Sequence, residues 1–414
     1  MNEQIKQRIV QLNNGEVPSG YKKTEFGIFP CDWVKDKTFG DLFDFYGGLG
    51  KSRDELGDEG HAYLHYGDLH RGAFNIVSHK QYEQLPKYDA TLKGNETYLM
   101  EDGDVAFLDA SEDLEGTSRA VLIDNPDNEP FIAGLHIIYG KPKDESLEKW
   151  YKQYIASPES VRKQFQRLSV GFKVYGVNRE TLPKIQLAYP VSTDEQSKIA
   201  EILMKWDEAI ELQEQYITKL KRKKLSLMKI LFSFSDESTL LFKDIVNPYK
   251  YTKELQTNQY QATGAIPVVD QGKNKIVAYT DDSNYSICPP EKGLLLFGDH
   301  TTEVKFIDFD FAVGGDGVKL FAEKDLYPLK YVYYYLLAFP FLIEGYKRHY
   351  SILRNKSIKV PTINGEIDRK RMDALVCIFS QLDEMINLNV DKMEKLINQR
   401  KALQQYLLNG IVRV

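Results

Sequence analysis

The stretch WDEAIELQEQYITKLKRKKLSLMKILF, Trp206 to Phe232, returns without a gap as LDEMINLNVDKMEKLINQRKALQQYLL, Leu382 to Leu408, at an offset of 176. In the first copy Leu203, Trp206, Ile210, Gln213, Ile217, Leu220, Lys224, Leu227 and Leu231 fall on alternating steps of three and four. In the second the same steps pick out Phe379, Leu382, Ile386, Asn389, Met393, Leu396, Arg400, Leu403 and Leu407. Such spacing is the seam of one helix packed along another. An amphipathic helix lying on a core of its own needs the pattern for only a few turns, whereas here it holds for four heptads. The polar exceptions match as well, Gln213 with Asn389 and Lys224 with Arg400. A polar residue in an apolar seam costs stability and fixes register, so the sequence predicts two long helices packed on each other as a coiled coil.

The duplication reaches beyond the helices. Phe39-Gly40-Asp41-Leu42-Phe43 echoes Phe242-Lys243-Asp244-Ile245-Val246, and Gly103 to Leu108 echoes Gly293 to Gly298. Phe131-Ile132-Ala133-Gly134 likewise echoes Phe311-Ala312-Val313-Gly314. These short β-branched and aromatic runs, set off by Gly, Asn, Asp and Pro, read as strands of a β-rich region. The order is therefore globular region, long helix, globular region, long helix. Ile5 to Leu12 followed by Asn13-Asn14-Gly15 also repeats the chain's end, Leu408-Asn409-Gly410, as in a circular arrangement of two half-molecules.

A chain of 414 residues has room for two or three domains. It shows neither an apolar run behind a basic N-terminus nor eighteen consecutive apolar residues, so neither secretion nor a membrane span is indicated. The three cysteines, Cys31, Cys288 and Cys377, suit a reducing cytoplasm and leave no basis for a disulfide framework or a cysteine zinc site. A net charge of −6 argues against an evenly spread nucleic-acid surface, but the charge is not even. Lys149 to Lys184 holds eight basic residues against two acidic, and Lys330 to Arg371 nine against three. Both basic segments carry aromatic residues, among them Trp150, Tyr151, Tyr154 and Phe165, and Tyr331, Tyr333, Tyr334, Tyr335 and Tyr350. Two basic segments in an acidic protein are an electrostatic footprint for a polyanion.

Two short motifs compete as catalytic sites. Asp44 to Ser52, DFYGGLGKS, contains Gly50-Lys51-Ser52, but a phosphate loop needs glycine five positions before Gly50, where Phe45 stands. The same run is nearer to the Asp-Pro-Phe-x-Gly-x-Gly loop of S-adenosylmethionine-dependent amino-methyltransferases. The partner loop such an enzyme needs is missing, since Asn247-Pro248-Tyr249 and Cys288-Pro289-Pro290-Glu291 do not fit. His61, His65, Asp68 and His70 could share a metal on a helix, but the surrounding Tyr63, Leu64 and Tyr66 read as a strand, on which that spacing does not converge. No catalytic residue and no metal ligand is therefore assigned.

Gly20-Tyr21-Lys22-Lys23-Thr24-Glu25-Phe26-Gly27-Ile28-Phe29-Pro30 with Asp32-Trp33, and Glu195-Gln196-Ser197-Lys198-Ile199-Ala200-Glu201-Ile202-Leu203 running into Trp206-Asp207-Glu208-Ala209-Ile210, carry a family resemblance. With the duplicated order, the chain resembles the specificity subunit of a type I restriction-modification system over nearly its whole length. The second copy, Phe379 to Ile386, lacks the Glu-Gln-x-Lys-Ile-Ala lead. The resemblance implies an α+β fold with an internal pseudo-two-fold repeat, in which two β-rich target-recognition domains are separated by two helices packed as an antiparallel coiled coil. The expected division is an N-terminal helical segment 1–20 near the C-terminal helix, recognition domains at 21–195 and 236–374, and spacer helices at 196–235 and 375–414.

It further implies a non-catalytic cytoplasmic reader of double-stranded DNA that recognises a split, asymmetric target. Two methyltransferase and two restriction subunits would be its partners, and S-adenosylmethionine, ATP and Mg would be bound by those partners and not by this chain. Candidate DNA contacts are Lys51, Arg53, Arg162, Lys163, Arg167 and Lys173 in the first domain, and Lys347, Arg348, Arg354 and Lys356 in the second. Two other readings stay open, a methyltransferase built on the Asp44 loop and a coiled-coil adaptor whose globular regions bind protein.

Overall fold

Val105–Leu108 lacks the alternation of a half-exposed strand because it is buried on both faces. It belongs to the first of two compact units into which the computed structural model divides, Met1–Glu211 with Glu394–Val414, and Leu212–Met393. The structure describes residues 3–71, 76–78, 82–89, 96–111, 119–168, 175–176, 178–341 and 348–414.

The first unit opens with helix α1 (Glu3–Asn13) and strand β1 (Val34–Thr38). The four-residue helix α2 (Phe39–Leu42) is held by a capping box, Thr38 and Asp41 each accepting from the other's backbone amide. Then follow β2 (Phe43–Gly47), β3 (His61–Leu64), α3 (Tyr66–Arg71), β4 (Ile76–Val77), β5 (Val105–Leu108), β6 (Ala120–Ile123), β7 (Phe131–Ala133), β8 (Ile137–Pro142), α4 (Glu159–Leu168), β9 (Gln186–Tyr189) and the long helix α5 (Thr193–Leu231). The main sheet has the order β2-β8-β5-β6-β4, β7 pairs with β3 in parallel, and β9 pairs with β1.

The second unit repeats the central part of this arrangement. It comprises β10 (Glu237–Leu241), α6 (Phe242–Ile245), β11 (Val246–Tyr249), β12 (Ile266–Val269), β13 (Leu294–Gly298), β14 (Val304–Ile307), β15 (Phe311–Val313), β16 (Val318–Glu323), α7 (Leu329–Ala338), α8 (Tyr350–Arg354), β17 (Ser357–Ile363) and the long helix α9 (Arg369–Leu408). Its main sheet runs β11-β16-β13-β14, β12 pairs with β15 in parallel, and β10 pairs with β17.

Successive residues of a strand point to opposite faces, so each central strand divides its side chains between two cores. Val105 and Phe107 join the core that includes Phe39, Phe165 and the start of α5, while Ala106 and Leu108 face a second core with Tyr139 and Ile137. In the other unit Leu295 and Phe297 join Phe232, Phe242 and Phe379, and Leu294 and Leu296 face the second core. Most of the aromatic residues noted in the two basic segments are core residues, and Trp150, Tyr333 and Tyr350 pack partly buried against them. Tyr151, Tyr154, Phe165, Tyr331, Tyr334 and Tyr335 are all buried, so these rings are not platforms for exposed bases.

The long helices belong to both units, and α9 begins at Arg369, where Asp368 accepts from the Arg371 amide at 3.0 Å, ahead of the expected start at 375. None of the sixteen heptad positions from Trp206 to Leu231 and from Leu382 to Leu407 is exposed. In the second unit Gln213 Nε2 donates to Asn389 Oδ1 at 2.9 Å, and Lys224 Nζ pairs with Asp383. In the first unit the Arg400 guanidinium grips Asp207 through Nε and Nη2 at 2.8 and 3.0 Å, and Leu403 and Leu407 pack in the core with Ile199 and Leu203. Ascending α5 thus means descending α9, and the helices run antiparallel within each unit. Matched Gln213 and Asn389 meet each other, whereas Lys224 and Arg400 each meet an aspartate of the opposite helix. A tyrosine completes each ion pair, Tyr154 Oη and Tyr334 Oη donating to Asp207 and Asp383 at 2.9 Å.

The chain's end is held in the first unit. Arg8 Nη1 donates to Ile411 O at 2.6 Å, Tyr21 Oη donates to Gly410 O, and Arg413 is clamped by Glu195 and Asp32. Gly410 ends α9 at φ +67°, and a Cβ there would lie 2.5 Å from Pro30 Cγ, so both backbone and space demand glycine.

Two predictions follow from the buried polar groups. Gln213→Leu leaves Asn389 Oδ1 without its donor and lowers the unfolding free energy by about 1–2 kcal/mol. Adding Asn389→Leu recovers that loss, a non-additivity read in a urea double-mutant cycle. Asp104, 2% exposed, stands where the second copy has Leu294, and burial pushes its carboxyl up to about 7. The folded chain therefore binds this proton more tightly than the unfolded chain does. The stability it contributes is complete below the ordinary carboxylate range and is lost as pH rises through about 7. Asp104→Asn flattens the fall in melting temperature between about pH 5 and pH 8, measured by thermal unfolding.

Candidate nucleic-acid interface

The Asp44 loop is built around one hydroxyl. Tyr63, fully buried on β3, accepts through Oη from Lys51 N at 3.0 Å and Leu135 N at 2.8 Å, and donates to Leu49 O at 2.5 Å. Gly48 N and Leu49 N donate to Ile137 O and Ala133 O, and Ser52 N donates to Glu55. The amides of Gly48, Leu49, Lys51 and Ser52 are thus bonded inside the domain. A Cβ at Gly48 would fall 1.8 Å from Gly134 O, so this glycine permits the backbone contact with the loop after β7. These bonds make the loop a turn built into the domain.

The histidine stretch is also accounted for. His61 lies on β3, and buried His65 accepts from Gly67 N through Nδ1 at 3.1 Å. Asp68 pairs with Arg53 at 2.5 Å, and the His70 side chain lies outside the described residues. Among the described residues no group of three His, Cys, Asp or Glu can hold a metal.

Both units gather polar loops at the same end of their sheets. Gly134 N donates to Leu64 O and Gly314 N to Val269 O, which fixes the equivalence of β3 with β12 and of β7 with β15. His65-Tyr66-Gly67 therefore corresponds to Asp270-Gln271-Gly272, and the same small turn forms in each. Gly67 N is held by the His65 ring, and Gly272 N by Asp270 Oδ1 at 2.8 Å. Asp109 after β5 corresponds to Asp299 after β13. In the first unit His136 Nδ1 lies 2.9 Å from Asp109 Oδ1, and its ring meets exposed Tyr66 edge-on. In the second, Asp299 takes the His349 and Tyr350 amides at 2.8 and 2.7 Å, which seats exposed Arg348 beside these loops.

The predicted contact residues separate accordingly. Arg53 and Lys51 stand beside the first unit's loop cluster, Lys51 paired with Glu55 at 2.9 Å and lying over the Tyr88 ring. Arg348 stands beside the second. Arg162, Lys163 and Arg167 lie on α4, whose Val161 and Phe165 enter the core, and Lys163 pairs with Glu159 at 2.7 Å. Arg354 is exposed on α8, but Lys356 is half-buried with Nζ 4.5 Å from the Phe341 ring centre, and burial holds its pKa below the usual lysine range. Lys173 and Lys347 lie outside the described residues. Sequence reasoning passed over Gln271-Gly272-Lys273-Asn274-Lys275, where Lys273, Asn274 and Lys275 are exposed in the loop after β12. The signal available was the repeat itself, because this run aligns on the Tyr66-Gly67 turn.

Tyr63→Phe keeps the ring but strands the Lys51 and Leu135 amides. It lowers stability by about 2 kcal/mol and speeds hydrogen exchange at those two amides selectively.

Residues 30–222 match the family model of the type I restriction modification DNA specificity domain. A 162-residue stretch is 29% identical to the specificity subunit of the type I restriction enzyme EcoR124I/EcoR124II from Escherichia coli, covering 38% of this chain and 39% of that protein. The match thus spans about two fifths of the curated relative. Among solved structures, the S subunit of a type I restriction-modification system from M. genitalium superposes with a TM-score of 0.52 at 14% identity, covering 91% of this chain and 96% of that one. A chain from a type I R-M system studied for complex assembly and conformational transition gives 0.56 at 12% identity, covering 96% and 100%. At these identities the likeness is one of fold.

Proposed function

We propose that the chain is a type I restriction-modification DNA specificity subunit, the non-catalytic component that reads a bipartite, asymmetric target in double-stranded DNA, a reading supported by the match of residues 30–222 to that family model. The observation that carries this reading is the duplication. Two β units share a four-strand order, β2-β8-β5-β6 and β11-β16-β13-β14, but present different side chains at equivalent loop tips, as two readers of unlike half-sites must. Basic residues set at these tips and on α4 and α8 supply the contacts to phosphate that position a protein on DNA, and polar groups at base edges supply discrimination.

The paired helices would act as the spacer between half-sites and as the docking surface for methyltransferase subunits. Leu212 and Leu388, at matching places in the two copies, are 57% and 62% exposed, which suits a pair of equivalent partner contacts. Two methyltransferase and two restriction subunits would complete the assembly, with S-adenosylmethionine, ATP and Mg held by them.

Co-expression with the neighbouring methyltransferase subunit, followed by sequencing of methyladenine in host DNA, is expected to show one split motif that disappears when this chain is omitted. In the purified complex, Arg167→Ala and Arg354→Ala are expected to weaken binding without changing the motif. Each should lower the slope of log affinity against log salt by about 1. Unchanged slopes in both variants would remove these two residues from the interface.

A further inference from the structure

We infer that the second half-site is read by the four-segment cluster that Gln271 and Asp299 tie together at the tip of the second unit, with Gln271 as its positioning residue. This rests on the DNA-reading function proposed above. Gln271 makes three bonds to two neighbouring loops. Its Nε2 donates to Asp316 O at 3.0 Å, its Oε1 accepts from His300 N at 3.1 Å, and its carbonyl accepts from Thr301 Oγ1 at 2.6 Å. Both ends of the carboxamide are consumed, so the side chain serves to hold loops together.

The fourth segment, 348–350, is attached through Asp299, whose own amide donates to Gly317 O at 2.8 Å. Lys305, only 7% exposed, donates to Asp270 O at 2.7 Å and Asn274 O at 2.5 Å, which fixes the loop after β12 from below. Space is as tight as the bonding. A Cβ on Gly317, at φ +85°, would lie 2.9 Å from the His300 ring and 3.0 Å from the Gln271 carboxamide, and one on Gly298 would lie 2.2 Å from Thr301 Oγ1. The backbone of the cluster is therefore preorganised, a condition for reading base edges by hydrogen-bond geometry.

Its outward groups have the mixed chemistry that DNA recognition needs. Lys273 and Arg348 are exposed cations suited to phosphate. Exposed Asn274 and Asp316 and half-exposed His300 offer donors and acceptors to base edges. Comparison within the chain supports the assignment. The two units keep the supporting turn, Gly67 on His65 and Gly272 on Asp270, while the exposed side chain at the equivalent tip changes from His136 to Asp316. Conserved support under a changed surface is what two readers of different sequences require.

The test uses the full chain co-expressed with its methyltransferase partner, with methyladenine mapped across the host genome. Gln271→Ala is expected to relax or abolish sequence preference in one half of the split motif and to leave the other half intact. Asn274→Ala, at an exposed position, is expected to relax the same half with no change in melting temperature. Loss confined to one half is something that general destabilisation would not produce. Methylation of an unaltered motif, at wild-type level, by both variants overturns this inference alone. A wild-type complex that methylates no motif overturns the DNA-reading function, and this inference falls with it.

Discussion

Each of the long helices carries an aspartate that meets a cation from the other, and the rest of the structure is arranged around those two contacts. Asp207 holds Arg400 and Asp383 holds Lys224, and in each case a tyrosine from the adjoining β domain donates to the same carboxylate. A half-buried ion pair is weak evidence for stability because desolvation offsets attraction, but removing one partner is costly. Its value here lies in register. Gln213 and Asn389 act in the same sense, since a seam of leucines alone would tolerate slippage by a heptad, and paired carboxamides do not. Register matters because the helix ends are core residues. Ile199 and Leu203 with Leu407 and Leu408 complete the first unit's core, and Met228 and Phe232 with Met372 and Phe379 complete the second's. Each β domain is finished by segments that are far apart in the chain.

This arrangement explains what the most recognisable motif residues do. Tyr21, Pro30, Asp32, Trp33, Glu195 and Gln196 carry the family resemblance, and all serve the framework. Gln196 is fully buried, with its amide nitrogen donating to Ser146 O and Pro190 O and its oxygen taking the Glu148 amide. Glu195 and Asp32 share Arg413, and Tyr21 and Pro30 receive the turn at Gly410. Residues that carry the family resemblance thus tie the chain's end into the first unit. The reading surface is free to differ between the two units because the bonds under it are made largely by backbone atoms, glycines and a few fixed side chains.

Much was legible from sequence. A heptad pattern repeats in the chain because each seam side chain must meet its partner helix at the same interval, so Trp206 to Leu231 and Leu382 to Leu407 could be placed from spacing alone. The strand echoes were legible for a similar reason, since strands buried on both faces, such as 105–108 and 294–298, need continuous apolar residues. Cations on helices were legible as charge but not as surface. Lys356 packs against Phe341, while Lys273 and Lys275 stand exposed in a loop that charge counting had passed over. The basic, aromatic segments were likewise half-read, because counting charge does not show that Tyr151, Tyr154 and even Lys152 lie inside the domain.

By itself, then, the sequence determined the duplication, the two seams and their polar interruptions, and the mixed α and β character, all of which depend on residues close together in the chain. Only the tertiary structure decided that Gln213 faces Asn389, that Asp207 and Asp383 receive the seam cations, that Tyr63 consumes the amides of the Asp44 loop, and that Gln271 joins three loops. Those contacts link residues 12 to 193 positions apart. A single chain carries no local pattern for such contacts, because the geometry that makes them favourable exists only once the strands and helices have packed.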